Sequence, residues 1–187
     1  MVLDYKNLND INRYKIMSGS IVPRPIAWIV TQDNHILNAA PFSYFIPICT
    51  NPALVIVAIF KKDDGSLKDT LVNILKTKKA TICFANKNNA QQVKQCSTAL
   101  PKNESEIEKF EIEVKKELDD YPPMISSTQT ALFCEYFDTY QINGDTTPII
   151  LKINYQYIED ERINERNHIN IESIGRVGAT FKAMVDL

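Results

Sequence analysis

Residues 21–31, IVPRPIAWIVT, are apolar almost without a break around Pro23, Arg24 and Pro25, and the run ends at the turn-like Gln32-Asp33-Asn34. A run this short between turn residues reads as a strand. Residues 35–48 (HILNAAPFSYFIPI) and 52–60 (PALVIVAIF) follow it as two more. The last of these carries no polar residue, the mark of a strand buried on both faces. Next, the polar connection 61–66 (KKDDGS) leads to Leu67, Leu71, Ile74 and Leu75, one face of a short helix whose start Ser66 or Asp69 would cap. Residues 80–85 (ATICFA) read as another strand. Residues 131–142 alternate through Leu132, Cys134, Tyr136, Tyr140 and Ile142; after the Gly144-Asp145 turn the alternation resumes at Ile149, Leu151, Ile153, Tyr155 and Tyr157. At least six strands, only short helices and a late hairpin predict a mainly β, antiparallel barrel with short flanking helices.

The 187 residues suit a single domain, with 44% apolar and 24% charged side chains. Residues 86–127 turn polar, hold helix-like segments near 90–96 and 104–109, and close on Pro122-Pro123. With too few apolar residues for a core of their own, they read as an excursion over one face. A net charge of −2 gives no footing for a nucleic acid or an anionic membrane. The first ten residues, MVLDYKNLND, lack an apolar signal core, and no run approaches the ~20 residues that cross a bilayer, so the chain reads as cytoplasmic. Cys49, Cys83, Cys96 and Cys134 show no C-x-x-C spacing, and only His35 and His168 could add imidazole. They read as structural thiols, with no metal.

Three segments carry possible chemistry. In residues 18–28 (SGSIVPRPIAW) two prolines remove ladder donors, confining the piece to an edge or a break in pairing. An extended backbone there would hold the Arg24 guanidinium outward from the wall, facing a flat ligand. Taken alone, a strand entry stiffened by proline beside a solvated arginine is the better account. Residues 38–45 (NAAPFSYF) place small side chains, where a ring can approach the backbone, beside the Ser43 hydroxyl. Phe42, Tyr44 and Phe45 more often serve a core or an interface. Residues 65–73 (GSLKDTLVN) open the helix, whose first N–H groups and about half a positive charge suit a phosphate. Lys68 and Thr70 add a charge and a hydroxyl there, although a capped surface helix would look the same. No G-x-x-x-x-G-K or G-x-G-x-x-G pattern occurs, which argues against a P-loop and a Rossmann dinucleotide domain.

Taken in order, SGSIVPRPIAWIVTQD, NAAPFSYFIPICTNPALVIVAIF and KDTLVNI resemble the flavin reductase-like family of FMN-binding split barrels. The likeness is to a subgroup with similar PRPIAW, N-x-APFS-x-F and Lys-Asp-Thr segments. It continues through ATICFA, the Asn143-Gly144-Asp145 turn and SIGRVG at 173–178, and is weakest over 86–127. The resemblance implies one domain over 1–187, a Greek-key antiparallel FMN-binding split β-barrel, with FMN held non-covalently at a homodimer interface. By that likeness Lys68, Asp69 and Thr70 lie by the phosphate, and Asn38, Ala40, Phe42 and Ser43 line the ribityl chain and ring edge. Arg24, Pro25, Ile26, Ala27 and Trp28 run beside the isoalloxazine, and Asn51 and Pro52 reach the ring from either subunit. One departure is the turn Asp33-Asn34-His35, where the family often has glycine; Asn34 tolerates the left-handed conformation, so the same fold is expected.

The function so implied is an oxidoreductase passing electrons from NADH or NADPH through FMN to a small-molecule or protein acceptor. Such a protein needs no catalytic acid, base or nucleophile of its own, and Arg24 would be a ring or substrate contact. Other readings stay open. One is a flavodoxin-like carrier that takes electrons from a protein partner, and another is a split barrel without catalysis, with or without its flavin. A third is a relative of the pyridoxamine phosphate oxidases, against which PRPIAW and KDT speak.

Overall fold

The computed structural model describes residues 1–184. The chain enters through helix α1 (Asp10–Ser20), where the Asn9 side chain caps the start by accepting from the Asn12 N–H at 2.8 Å. Nothing in the apolar spacing marks this helix, since Ile11, Tyr14 and Met17 all remain exposed. A two-residue strand β1 (Arg24–Pro25) leads to β2 (Ala27–Asp33), β3 (Ile36–Phe42), β4 (Phe45–Thr50) and β5 (Ala53–Phe60). The β2–β3 turn holds Asn34 at φ 55°, the left-handed conformation anticipated for it. Residues 35–48, expected as one strand, are two. The break falls at Ser43-Tyr44, where the Ala58 N–H donates to the Tyr44 carbonyl at 2.9 Å and draws the chain from β2 across to β5.

Beyond the polar loop come α2 (Asp69–Thr77), β6 (Lys79–Phe84), α3 (Ala90–Gln95), α4 (Glu106–Lys109), and the short pair β7 (Val114–Lys115) and β8 (Met124–Ile125). The long strands β9 (Thr130–Thr139) and β10 (Thr146–Ile158) and a final hairpin, β11 (Ile174–Val177) and β12 (Thr180–Ala183), complete the described chain. Seven strands form one antiparallel sheet in the order β3-β2-β6-β9-β10-β5-β4. The sheet curls until β3 lies against β5, yet its end strands β3 and β4 never pair with each other. That gap is the split. No helix of the described residues is long and apolar enough to cross a membrane.

Strand alternation sends side chains to two cores. Leu71 and Ile74 of α2 pack with Ile29, Val57, Ile82, Ile149 and Leu151 in the first. Trp28, Cys83 and Phe133 anchor the second, which the 86–127 stretch covers with Val93, Ile112, Tyr121, Met124 and Ile125. Strand β5 was expected to be buried on both faces. Val55, Val57 and Ile59 are buried, but Ile56, Ala58 and Phe60 are only half-buried, because α1 covers no more than the Phe60 end of that face. Cap expectations for α2 also change. Its N-cap is Lys68, with no side-chain cap bond. The Asp69 carboxylate turns instead to Lys62 Nζ at 2.9 Å, and the backbone N–H of Ser66 goes to Asp64.

The C-terminal hairpin is locked to the chain entry by β1–β11 pairing, where Pro25 faces Gly175. A Cβ at Gly175 would lie 2.7 Å from the Pro23 Cβ, closer than two carbons approach without a shift. Gly175→Ala should therefore cost about 1–3 kcal/mol in urea unfolding, the scale of overpacking. Gly144→Ala, which meets only the end of Ile142 at 3.9 Å, serves as the control expected to stay within about 0.5 kcal/mol.

Candidate functional site

The site starts where α2 begins. A helix leaves its first N–H groups without intrahelical partners, and the absence of a side-chain cap leaves those of α2 open to an anion. Lys62 and Lys68 bring two positive charges to this point, one of them held by Asp69. From here a cleft of about 390 Å³ runs past Thr70 and Asn38 to Ala40 and Phe42 of β3. Pro41, Phe42 and Ser97 are shared between this cleft and a second chamber of about 190 Å³. Aromatic rings wall that chamber: Tyr14 stacks on Tyr44 with centroids 6.5 Å apart, Phe60 meets both edge-on, and Phe42 and Phe181 add theirs. Arg176 also lines it, its guanidinium 5.2 Å from the Phe181 ring.

Beneath the cleft lies a polar network. Thr70 Oγ1 donates to Asn38 Oδ1 at 2.7 Å, and Thr31 Oγ1 donates to the same oxygen at 3.4 Å. Asn73 Nδ2 donates to Thr31 Oγ1 at 3.0 Å. The Asn38 amide nitrogen reaches both oxygens of Glu106, at 3.2 and 3.0 Å, and the Ala39 N–H donates to Glu106 Oε2 at 3.1 Å. Glu106 is only 6% exposed. Burial pushes its pKa above the ordinary carboxyl value and nearby Asp69 adds to this, while the Ala39 and Asn38 donors pull the other way.

Of the residues singled out from the sequence, the structure brings Asn38, Ala40, Phe42, Lys68, Asp69 and Thr70 into one cleft, and Ile26 and Ser43 into the adjoining chamber. Others lie elsewhere. Ala27 and Trp28 are fully buried, with β3 and β6 paired on either side, so they offer a ligand no surface. Pro25 is taken up by β11. Arg24 does not point outward: it is 6% exposed and folds back to donate to the carbonyls of Ser18 and Ile21. The cause is α1, whose C-terminal carbonyls attract a cation. Its Nε lies 3.5 Å from Ser43 Oγ, so it steadies the bend from behind. Asn51 and Pro52 sit exposed at the tip of the β4–β5 hairpin, at the opposite end from Tyr44 and Phe60. Cys96 lines the cleft, but burial pushes its thiol up to about 12 and leaves it inert.

Sequence reasoning missed Lys62, Glu106, Tyr14 and Arg176. Arg176 stood in SIGRVG, Lys62 in the polar connection 61–66 and Glu106 in the helix-like segment 104–109, but none of them was read as a site residue, and Tyr14 fell in no segment that had drawn notice. Glu106 lies in the polar 86–127 stretch, and no spacing ties it to Asn38.

Residues 17–170 match the family described as flavin reductase like domain. The chain belongs to that family. An uncharacterized protein of Aquifex aeolicus is 28% identical to this flavin reductase-like domain over 178 residues, 90% of this chain and 87% of the other. Nitrilotriacetate monooxygenase component B from Bacillus cereus superposes with a TM-score of 0.94 at 21% identity, over 100% of this chain and 96% of that one. An FMN-binding protein from Thermus thermophilus, solved with bound 1-cyclohex-2-enone, gives 0.79 at 14% identity, over 97% and 96%. At such identities the two structures establish the shared mainly β, split-barrel fold.

The buried carboxyl has a measurable signature. Glu106 holds its proton to higher pH in the folded domain than in the unfolded chain. Its stabilising share is thus complete below the ordinary value of 4.5 and is lost as pH rises through the raised value. In urea unfolding across about pH 4 to 8, wild type should lose stability relative to Glu106→Gln as pH rises. A margin that instead widens in favour of wild type would contradict this.

Proposed function

We propose that this flavin reductase-like domain binds FMN non-covalently and passes electrons from NADH or NADPH through it to an acceptor. One observation carries the reading. A cation-flanked, uncapped helix start, a polar floor and an aromatic-walled chamber follow one another along two adjoining cavities that share Pro41, Phe42 and Ser97. That is the order of phosphate, polyol and ring in FMN. The residues present fit each part: open N–H groups with Lys62 and Lys68 suit a dianion, and Ala40 leaves room beside Phe42 for a flat ring. Bound flavin supplies the redox chemistry. The protein holds the ring at the Phe42–Ser43 bend, excludes water with Tyr14, Tyr44 and Phe60, and leaves the chamber open to a second flat molecule. The small unsaturated ketone bound by the Thermus thermophilus protein is of that kind. Arg176 gives the chamber a positive charge toward an anionic reactant.

A homodimer forms part of the proposal. Ile46 on edge strand β4 is 55% exposed and stands directly opposite half-buried Ile56, with Ile48 also exposed nearby. A second copy would cover this apolar face and carry its Asn51 and Pro52 toward the neighbouring ring. The reading sets the protein in the cytoplasm, where nicotinamide nucleotides are available.

After incubation with FMN and desalting, the protein should keep the flavin absorbance bands, and NADH or NADPH should bleach them in anaerobic stopped-flow mixing. A loaded protein bleached by neither is no reductase. Lys68→Ala should weaken FMN binding by about 1–3 kcal/mol in a titration, the range of a charge-assisted hydrogen bond. Unchanged affinity would remove Lys68 from the phosphate.

A further inference from the structure

Asn38 lines the cleft where the polyol of a flavin would lie, yet its oxygen and one of its two N–H donors are already committed within the protein. A side-chain amide has two N–H donors and two acceptor lone pairs. Thr70 and Thr31 supply two donors to its oxygen, and its nitrogen faces the two oxygens of Glu106. Rotating the amide by half a turn would set its oxygen against a carboxylate and abandon both threonines, so the orientation is fixed. Every bond of the network runs in one direction, from Asn73 to Thr31 to Asn38 to Glu106, with Thr70 joining at Asn38. Glu106 is where it ends.

A carboxylate accepts about four hydrogen bonds. Glu106 Oε1 and Oε2 share one N–H of Asn38, and Oε2 also takes the Ala39 backbone N–H. Capacity is left on Oε1, and Glu106 lines both the cleft and a neighbouring recess of about 300 Å³. We propose that Glu106 is the polyol contact of the flavin cleft, its carboxylate accepting the hydroxyl donor of the ribityl chain that the filled Asn38 oxygen cannot accept. The inference rests on the flavin reading and deepens it. A carboxylate at this point repels a phosphate and welcomes a hydroxyl donor. It thereby sets the register of the ligand, with the phosphate toward Lys62 and Lys68 and the polyol over Glu106.

The test compares FMN, riboflavin and lumiflavin, which has the same ring but no polyol, in fluorescence titrations of wild type and Glu106→Gln. The substitution should weaken FMN and riboflavin about tenfold or more and leave lumiflavin within about twofold. Glu106→Asp, which keeps the charge but withdraws it by one methylene, should fall between the two for the polyol ligands. It also provides the comparison if the glutamine variant does not fold. Equal weakening of all three ligands would reduce Glu106 to a structural support and overturn the inference, as would no change with any of them. Wild type that binds none of the three would instead sink the flavin reading itself.

Discussion

The hydrogen bonds of the Asn38 amide hold the candidate site together. Asn38 stands on β3, an end strand of the sheet, and its bonds tie that strand to β2 through Thr31, to α2 through Thr70, and to the 86–127 excursion through Glu106. Polar groups this far from water are costly unless each finds a partner, and a fully satisfied network favours one arrangement over its neighbours. Thr31, Thr70 and Asn73 are at most 4% exposed, and each takes part. The start of α2 is thus fixed against the barrel wall by polar bonds as well as by Leu71 and Ile74. That fixed placement sets the distance between the uncapped start of α2 and the aromatic chamber.

The second constraint is the break at Ser43-Tyr44. A continuous strand there would have closed the sheet or run past it. Because the chain crosses from β2 to β5, β3 and β4 remain two unpaired edges with a cleft and an aromatic chamber beside them. Arg24, drawn inward by the carbonyls at the end of α1, braces this bend from behind. The same split leaves an apolar face on β4 and β5 uncovered in the single chain. Opening the barrel therefore gives the candidate site its entrance and leaves apolar side chains such as Ile46 and Ile48 exposed on β4.

Much of this was legible in the sequence, for identifiable reasons. Strands β2, β5, β9 and β10 announce themselves by apolar runs or alternation, and α2 by the spacing of Leu71, Ile74 and Leu75. Asn34 could be read as a turn residue because its own side chain permits a positive φ. What escaped depends on partners far along the chain. Helix α1 buries little besides Ser18, so no apolar stripe betrays it. Arg24 was expected to face outward because the carbonyls that hold it belong to that unseen helix. Trp28 sits in a motif that resembles a ligand-facing segment, but the excursion covers its face and makes it core. Glu106 lies 68 positions from Asn38, and only the tertiary fold brings the two together.

A crystal structure of the protein with FMN tests the central claim most directly. The account requires the phosphate at the first N–H groups of α2, within reach of Lys62 and Lys68, and the isoalloxazine against Phe42 and the Ser43 bend. FMN with its ring at the start of α2, or bound on another face of the barrel, would contradict it.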